Sequence, residues 1–307
     1  MALNAKAQRI IDKLDRGLVA VKTTNGIFVS WRIQSDEYYD VTYNLYRDGS
    51  LVAENLTTSN YRDAAGNTSS GYSVEAVKRG VKLPKSAVAT PWTNSYLEIA
   101  PKHDQSLTST LIPNDACCAD VDGDGQVEIL FKYDNMEEIN GGFPKNGHNG
   151  EYTILEVLKL DGTVLWWVNC GPNMGDFQNN EQNIVGYDWD VDGKAEVLMR
   201  LEEGSTIHQA DGTTYTLGAD GKNGTSWTNY RLPKTGGTEW FTFYGKEFLV
   251  YCNGQTGVPY QVIDFPCARF ESGESDLNKA WGDGYGHRAS KFFFGAPYLD
   301  GRKPSIF

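Results

Sequence analysis

The chain has 307 residues, with 33 glycines, 17 tyrosines, 13 phenylalanines and 8 tryptophans, and a formal net charge of −12. That length accommodates two domains with ordinary cores, and the glycine and aromatic content suits short strands and turns better than long helices. The acidic balance excludes a nucleic-acid surface, which needs lysine and arginine, and suits a collector of divalent cations. No window approaches the roughly 18 uninterrupted apolar residues of a membrane span, and Met1 leads into polar residues without a secretory apolar core. Cys117, Cys118, Cys170, Cys252 and Cys267 have neither a zinc spacing nor a disulfide framework and read as buried or half-buried thiols.

In chain order, Ala5 to Leu14 predicts a helix with Ile10, Ile11 and Leu14 on one face, inside an N-terminal segment of residues 1–15. From Arg16 to Trp92 short alternating runs follow: Leu18–Val21, Ile27–Trp31, Tyr43–Tyr46, Tyr61 and Tyr72–Val77. Asn25-Gly26 and Asp48-Gly49 between them are hairpin turn signals. Residues 16–92 are therefore expected to form a β-sandwich of fibronectin type III layout with Trp31 in its core. A polar connector with Pro101 and Pro113 covers residues 93–113, and a repeat begins at 114.

Asp120-Val121-Asp122-Gly123-Asp124-Gly125-Gln126-Val127-Glu128 runs into Ile129-Leu130-Phe131. In the same frame, Asp188-Trp189-Asp190-Val191-Asp192-Gly193-Lys194-Ala195-Glu196 runs into Val197-Leu198-Met199. Alternate carboxylates on a tight loop converge on one point, and calcium takes six to eight oxygens at about 2.3–2.6 Å. The expected ligands are Asp120, Asp122, Asp124 and Glu128, and Asp188, Asp190, Asp192 and Glu196, with backbone carbonyls from Gln126 and Lys194. An EF-hand is excluded because Phe131 and Met199 occupy the place of its bidentate glutamate, and the flanks read as strands. Such a loop feeding a strand resembles the calcium loops of propeller blades. Tyr152–Leu160 and Val164–Val168 around Asp161-Gly162 predict a hairpin with a two-residue turn, Phe248–Tyr251 and Tyr260–Ile263 a second, and Lys291–Phe294 the start of a third unit. In that third unit Asp300 remains but Tyr298 and Pro304 replace ligands, so calcium is not expected there.

Arg16–Val21, Tyr46-Arg47-Asp48-Gly49, Asn114-Asp115-Ala116, Leu160-Asp161-Gly162-Thr163 and Trp281-Gly282-Asp283-Gly284-Tyr285-Gly286-His287-Arg288 together resemble polysaccharide lyase family eleven, the calcium-dependent rhamnogalacturonan lyases. The resemblance covers nearly the whole chain. It implies an all-β protein: a fibronectin-like sandwich, then a calcium-binding propeller, here incomplete over residues 114–307, with the first two to three of eight blades. It also implies a pectic rhamnogalacturonan substrate, cleavage by β-elimination, Ca2+ as cofactor and an extracellular or periplasmic location. Asn114, Asp115, Asp134, Asp283 and Tyr285 are the candidates for substrate contact, and Lys132, His287 and Arg288 for catalysis. His103, His148 and His208 lie in stretches that read as polar loops and receive no role. Read as a piece of the enzyme, the chain by itself is expected to be inactive. Two other functions compete: a non-catalytic calcium-dependent carbohydrate-binding or adhesion propeller, and a glycoside hydrolase. The hydrolase needs two free carboxylates about 5–10 Å apart, whereas the clustered ones here are committed to calcium.

Overall fold

The computed structural model describes residues 10–11, 13–37, 39–109, 111–135, 152–174, 184–230, 244–270, 274–282, 287–290 and 292–307. Of the expected N-terminal helix only Ile10, Ile11, Lys13 and Leu14 are described, and none of them is helical.

One compact unit holds residues 13–99 together with 124–126. Its strands are β1 (Val19–Thr23), β2 (Gly26–Ser30), β3 (Val41–Arg47), β4 (Ser50–Leu56), β5 (Asn60–Asp63), β6 (Tyr72–Lys78) and β7 (Val81–Lys82). They form two antiparallel sheets, in the orders β1-β2-β5 and β4-β3-β6-β7. Alternation decides which side chains meet between the sheets: Ala20, Ile27 and Val29 from one, and Tyr43, Leu45, Tyr72, Val74 and Ala76 from the other. Trp31, just past β2, packs edge-on against Tyr43 at 5.4 Å and belongs to this core. The turn between β3 and β4 is the expected one: Asp48 (φ 50°) and Gly49 (φ 79°) are both left-handed, as a type I′ turn requires.

A buried ion pair closes this core at one end. The Arg16 guanidinium donates to both oxygens of Glu37 (2.7 and 2.5 Å), which also accepts from the Tyr43 hydroxyl (3.0 Å) and the Gln34 N–H (3.0 Å). Burial alone would raise the Glu37 carboxyl, but Arg16 and these donors outweigh it and hold it below its ordinary range. A depressed folded pKa gives stability that is present above the unfolded value of about 4.5 and lost as pH falls through the folded one. Melts of the sandwich should therefore lose stability below about pH 4.5. Glu37→Gln should cost about 3 kcal/mol at neutral pH by leaving Arg16 unpaired, and should flatten that acid limb. An acid limb unchanged in the variant would assign the effect to other carboxylates.

The described residues of 100–123 and 127–307 form the second unit. Here β8 (Leu111–Ala119), β9 (Glu128–Asn135), β10 (Ile154–Leu158) and β11 (Val164–Asn169) make an antiparallel meander, extended at its edge by β14 (Thr206–His208) and β15 (Thr214–Thr216). A second meander runs through β12 (Ile184–Tyr187), β13 (Glu196–Glu202), β16 (Glu247–Asn253) and β17 (Pro259–Asp264). The two sheets share one core: Leu130, Leu155, Val157, Trp166 and Val168 meet Val197, Met199, Leu201, Phe248, Val250 and Cys252.

Three local expectations change. The β10–β11 connection is wider than two residues: the register shifts at Val157/Leu158 and the turn closes with Lys159 N–H on the Thr163 carbonyl (2.8 Å). His208 lies on β14 rather than in a loop, stacked on Trp167 at 3.6 Å. Past β17 the described residues contain no further strand, only the short helices α1 (Leu277–Trp281) and α2 (His287–Ser290) and a backbone pairing of Gly295 with Phe307.

Candidate functional site

Both acidic loops join the first strand of a meander to the second, β8 to β9 and β12 to β13. Two backbone-to-carboxylate bonds are common to both. The second residue's N–H reaches back to the terminal glutamate, Val121 to Glu128 and Trp189 to Glu196, at 2.9 Å in each. The seventh residue's N–H donates to the fifth residue's carboxylate, Gln126 to Asp124 and Lys194 to Asp192, at 2.8 Å in each. Positions four and six are left-handed in both: Gly123 and Gly125 (φ 79° and 90°), and Val191 and Gly193 (φ 63° and 98°). Valine there is strained, since a β-branched residue rarely takes positive φ, so the loop trace is imposed against its own sequence. The loops also touch, through Ala195 N–H on the Asp120 carbonyl (2.7 Å).

A calcium fit can be tested on geometry. Oxygens around one ion are separated by at most about twice 2.4 Å. The ligand atoms of Asp188, Asp190, Asp192 and Glu196 all lie within 4.8 Å of one another, and so do those of Asp120, Asp122 and Asp124. Glu128, the expected fourth ligand of the first loop, is buried but is not part of its set. In the second loop burial, with Asp190 and Asp188 close by, pushes the Glu196 carboxyl up to about 7 against the donation from Tyr251 (2.8 Å). Burial likewise raises Asp188. Crowded, desolvated carboxylates of this kind suit a divalent cation. Lys194 keeps its side chain apart, on Gln255 (3.2 Å), consistent with a backbone-only role.

The remaining candidates lie elsewhere. Asn114 and Asp115 come shortly before the first loop in sequence, but they lie mid-way along the extended β8, roughly 15–20 Å from Asp120. There the register jumps between Pro113↔Tyr133 and Ala116↔Phe131, so Asn114 and Asp115 form a bulge opposite the single residue Lys132. Lys132 is buried, with its ammonium 3.5 Å from the Asp115 carboxylate, whose side chain is 72% exposed. Asp134 follows two residues on, paired with Ile112. Asp283 and Tyr285 lie outside the described residues, and His287 opens α2. Arg288 is exposed and donates to the Trp281 carbonyl (3.2 Å).

Sequence reading missed an extension of the repeat. Lys132-Tyr133-Asp134 after the first loop corresponds to Arg200-Leu201-Glu202 after the second. Glu202 faces Glu247 across the β13–β16 ladder, and the like charges are bridged by Arg269, which bonds Glu202 and lies 3.2 Å from Glu247, and by Arg200, 3.3 Å from Glu247. The Arg269 carbonyl in turn holds the Trp281 indole N–H (2.5 Å). Also unforeseen were Lys159, whose ammonium bonds Asp122 of the first loop, and a buried His103–Glu156 contact (2.6 Å).

Comparison with known proteins agrees with this architecture. The family model described as rhamnogalacturonan lyase family 11, C-terminal domain, matches residues 100–307, and that of the rhamnogalacturonan I lyases beta-sheet domain matches residues 9–92. The chain is 37% identical to rhamnogalacturonan endolyase YesW of Bacillus subtilis (strain 168), over 98% of this chain and 46% of that protein. It is 33% identical to rhamnogalacturonan exolyase YesX of the same organism, over 97% and 46%. The crystal structure of YesX superposes with a TM-score of 0.74 at 29% identity, covering 97% of this chain and 47% of that one. That of YesW superposes with a TM-score of 0.72 at 34% identity, covering 98% and 48%. The chain spans about half the length of the curated relatives it matches. With one family model spanning residues 100–307 and the same relatives found by sequence and by fold, the chain belongs to rhamnogalacturonan lyase family 11.

Proposed function

We propose that this chain supplies a fibronectin-like sandwich and the first blades of a calcium-binding β-propeller to an extracellular or periplasmic enzyme that cleaves the rhamnogalacturonan backbone of pectin by β-elimination. Sheets in the orders β1-β2-β5 and β4-β3-β6-β7 are compatible with a fibronectin type III layout. The propeller reading draws on the way the meanders stack. The face of the first sheet with Leu130 packs against the face of the second with Val197, while the equivalent of Leu130, Leu198, points away on the face of Arg200. Stacking of this head-to-tail kind generates a ring when it is continued with a rotation that closes.

β-Elimination removes the C5 proton of galacturonate, which requires a base and neutralisation of the neighbouring carboxylate. Calcium, when bound, supplies positive charge of that kind. The two acidic loops are at the wrong end of their strands to serve the bulge, so their ions are read as fastening strand ends. The substrate end is assigned to the bulge, the observation that carries this reading: it exposes Asp115 next to a half-buried Asn114 while Lys132 holds Asp115 from within. Lys132 is too buried to meet a polymer and acts by positioning.

Incubation of the complete enzyme that carries this chain with rhamnogalacturonan I tests the reading. A lyase generates the ultraviolet band of an unsaturated uronate, a hydrolase only new reducing ends, and a binding protein neither. Asp115→Asn should lower kcat/KM about ten- to a hundredfold, the loss of one charged hydrogen bond. Full activity in that variant would move the substrate away from the bulge.

A further inference from the structure

We propose that Lys159 makes the two acidic loops unequal, so that the second loop takes calcium first and the first loop takes it only as the Lys159 ammonium leaves. This rests on the reading of both loops as calcium sites. The loops share one D-x-D-x-D-G-x-x-E frame, and what packs on each is a source of difference between them. The ladders identify the relevant neighbour. Leu158 faces Ile129 in the first sheet and Cys252 faces Val197 in the second, so the next residues, Lys159 and Asn253, stand at equivalent places. The widened β10–β11 turn releases Lys159 from the ladder, and its ammonium bonds the Asp122 carboxylate and lies 4.0 Å from Glu128. Asn253 brings no charge. Its carboxamide accepts from the Thr256 N–H (2.9 Å) and donates to the Tyr260 hydroxyl (2.6 Å) within its own hairpin.

An ammonium and a calcium ion compete for one set of oxygens. They repel each other at such distances, and Asp122 cannot offer the same lone pair to both. Lys159 is half-buried on a flexible stem, so it can swing towards water, and the ion pair it abandons is subtracted from the affinity of the first loop. When calcium is scarce the same ammonium relieves the repulsion among the first loop's carboxylates. The second loop has no such substitute among the contacts described around it.

The test is a calcium titration of the full chain, stripped of metal with a chelator. Calorimetry should resolve two classes of site. Terbium, a calcium-like ion sensitised by nearby indole such as Trp189, is titrated into the unaltered chain and into Asp190→Asn, which leaves the first loop to fill. The emission phase lost in that variant should be the one that saturates with the tight class. Lys159→Met should tighten the weak class by at least about tenfold and leave the tight class in place. Asp190→Asn should abolish the tight class alone. Where Lys159→Met does not fold, Lys159→Asn, which copies the second loop's residue, carries the same test. A single affinity class in the unaltered chain, or a weak class that Lys159→Met leaves unchanged, overturns the proposal while leaving the calcium reading intact. No ion uptake by either loop overturns both.

Discussion

Replacing Asp190 with alanine should remove one bound calcium ion per chain and most of the calcium-dependent stability of the second loop. An ion at a thousand times its dissociation constant stabilises by about 4 kcal/mol per site, so that is the scale of the loss. The loop cannot collapse onto a substitute. Its backbone is already committed, with Asp192 and Gly193 N–H groups on Asp188 at 3.0 and 2.9 Å and Val191 held at positive φ. Elemental analysis and thermal unfolding with and without chelator measure both effects. Asp122→Ala should remove the other ion. An unchanged calcium count in both variants would end the assignment of these loops.

Arg269→Ala should destabilise the second unit by about 3–5 kcal/mol, the cost of stranding a buried charge. Glu202 is fully buried and Glu247 nearly so, and they face each other directly. Burial already pushes the Glu202 carboxyl well above its ordinary range and Glu247 adds to this, while Arg269 opposes it. Without the guanidinium the pair must take up a proton or separate. The double variant Arg269→Met with Glu202→Leu should recover much of the loss, because an apolar pair of similar volume needs no compensation. Denaturant unfolding is the measurement, and a loss below about 1 kcal/mol in the single variant would make the network incidental.

Short-range features were legible in the sequence. The Asp48-Gly49 hairpin and both acidic loops depend on residues within a few positions of one another, where turn chemistry and ligand spacing are explicit. The further match of Lys132-Tyr133-Asp134 to Arg200-Leu201-Glu202 was also in plain view, since it continues the same frame, but it follows an apolar run that reads as ordinary strand. Register was not legible. The bulge at Asn114 and Asp115 exists only relative to β9, so adjacency to the first loop suggested proximity where β8 imposes distance. Lys159 reads as an ordinary strand residue, and only the shifted pairing puts it in the turn. Arg269 and Glu202 are 67 residues apart, and no local pattern joins them.

The bulge also constrains how the chain can change in length. Along β9, Phe131 and Tyr133 lie on one side of the sheet and Leu130 and Lys132 on the other. Across from them Cys117 packs with the main core, whereas Leu111, an even number of residues earlier, joins the smaller cluster of Tyr133 and Ile154 on the opposite side. Only the extra residue permits that change of side. Deleting either Asn114 or Asp115 would restore plain alternation and turn Leu111 and Pro113 over together. Between Pro113 and Ala116 the fold of this sheet therefore depends on the number of residues rather than on their side chains, and a one-residue deletion there should unfold it where a substitution does not.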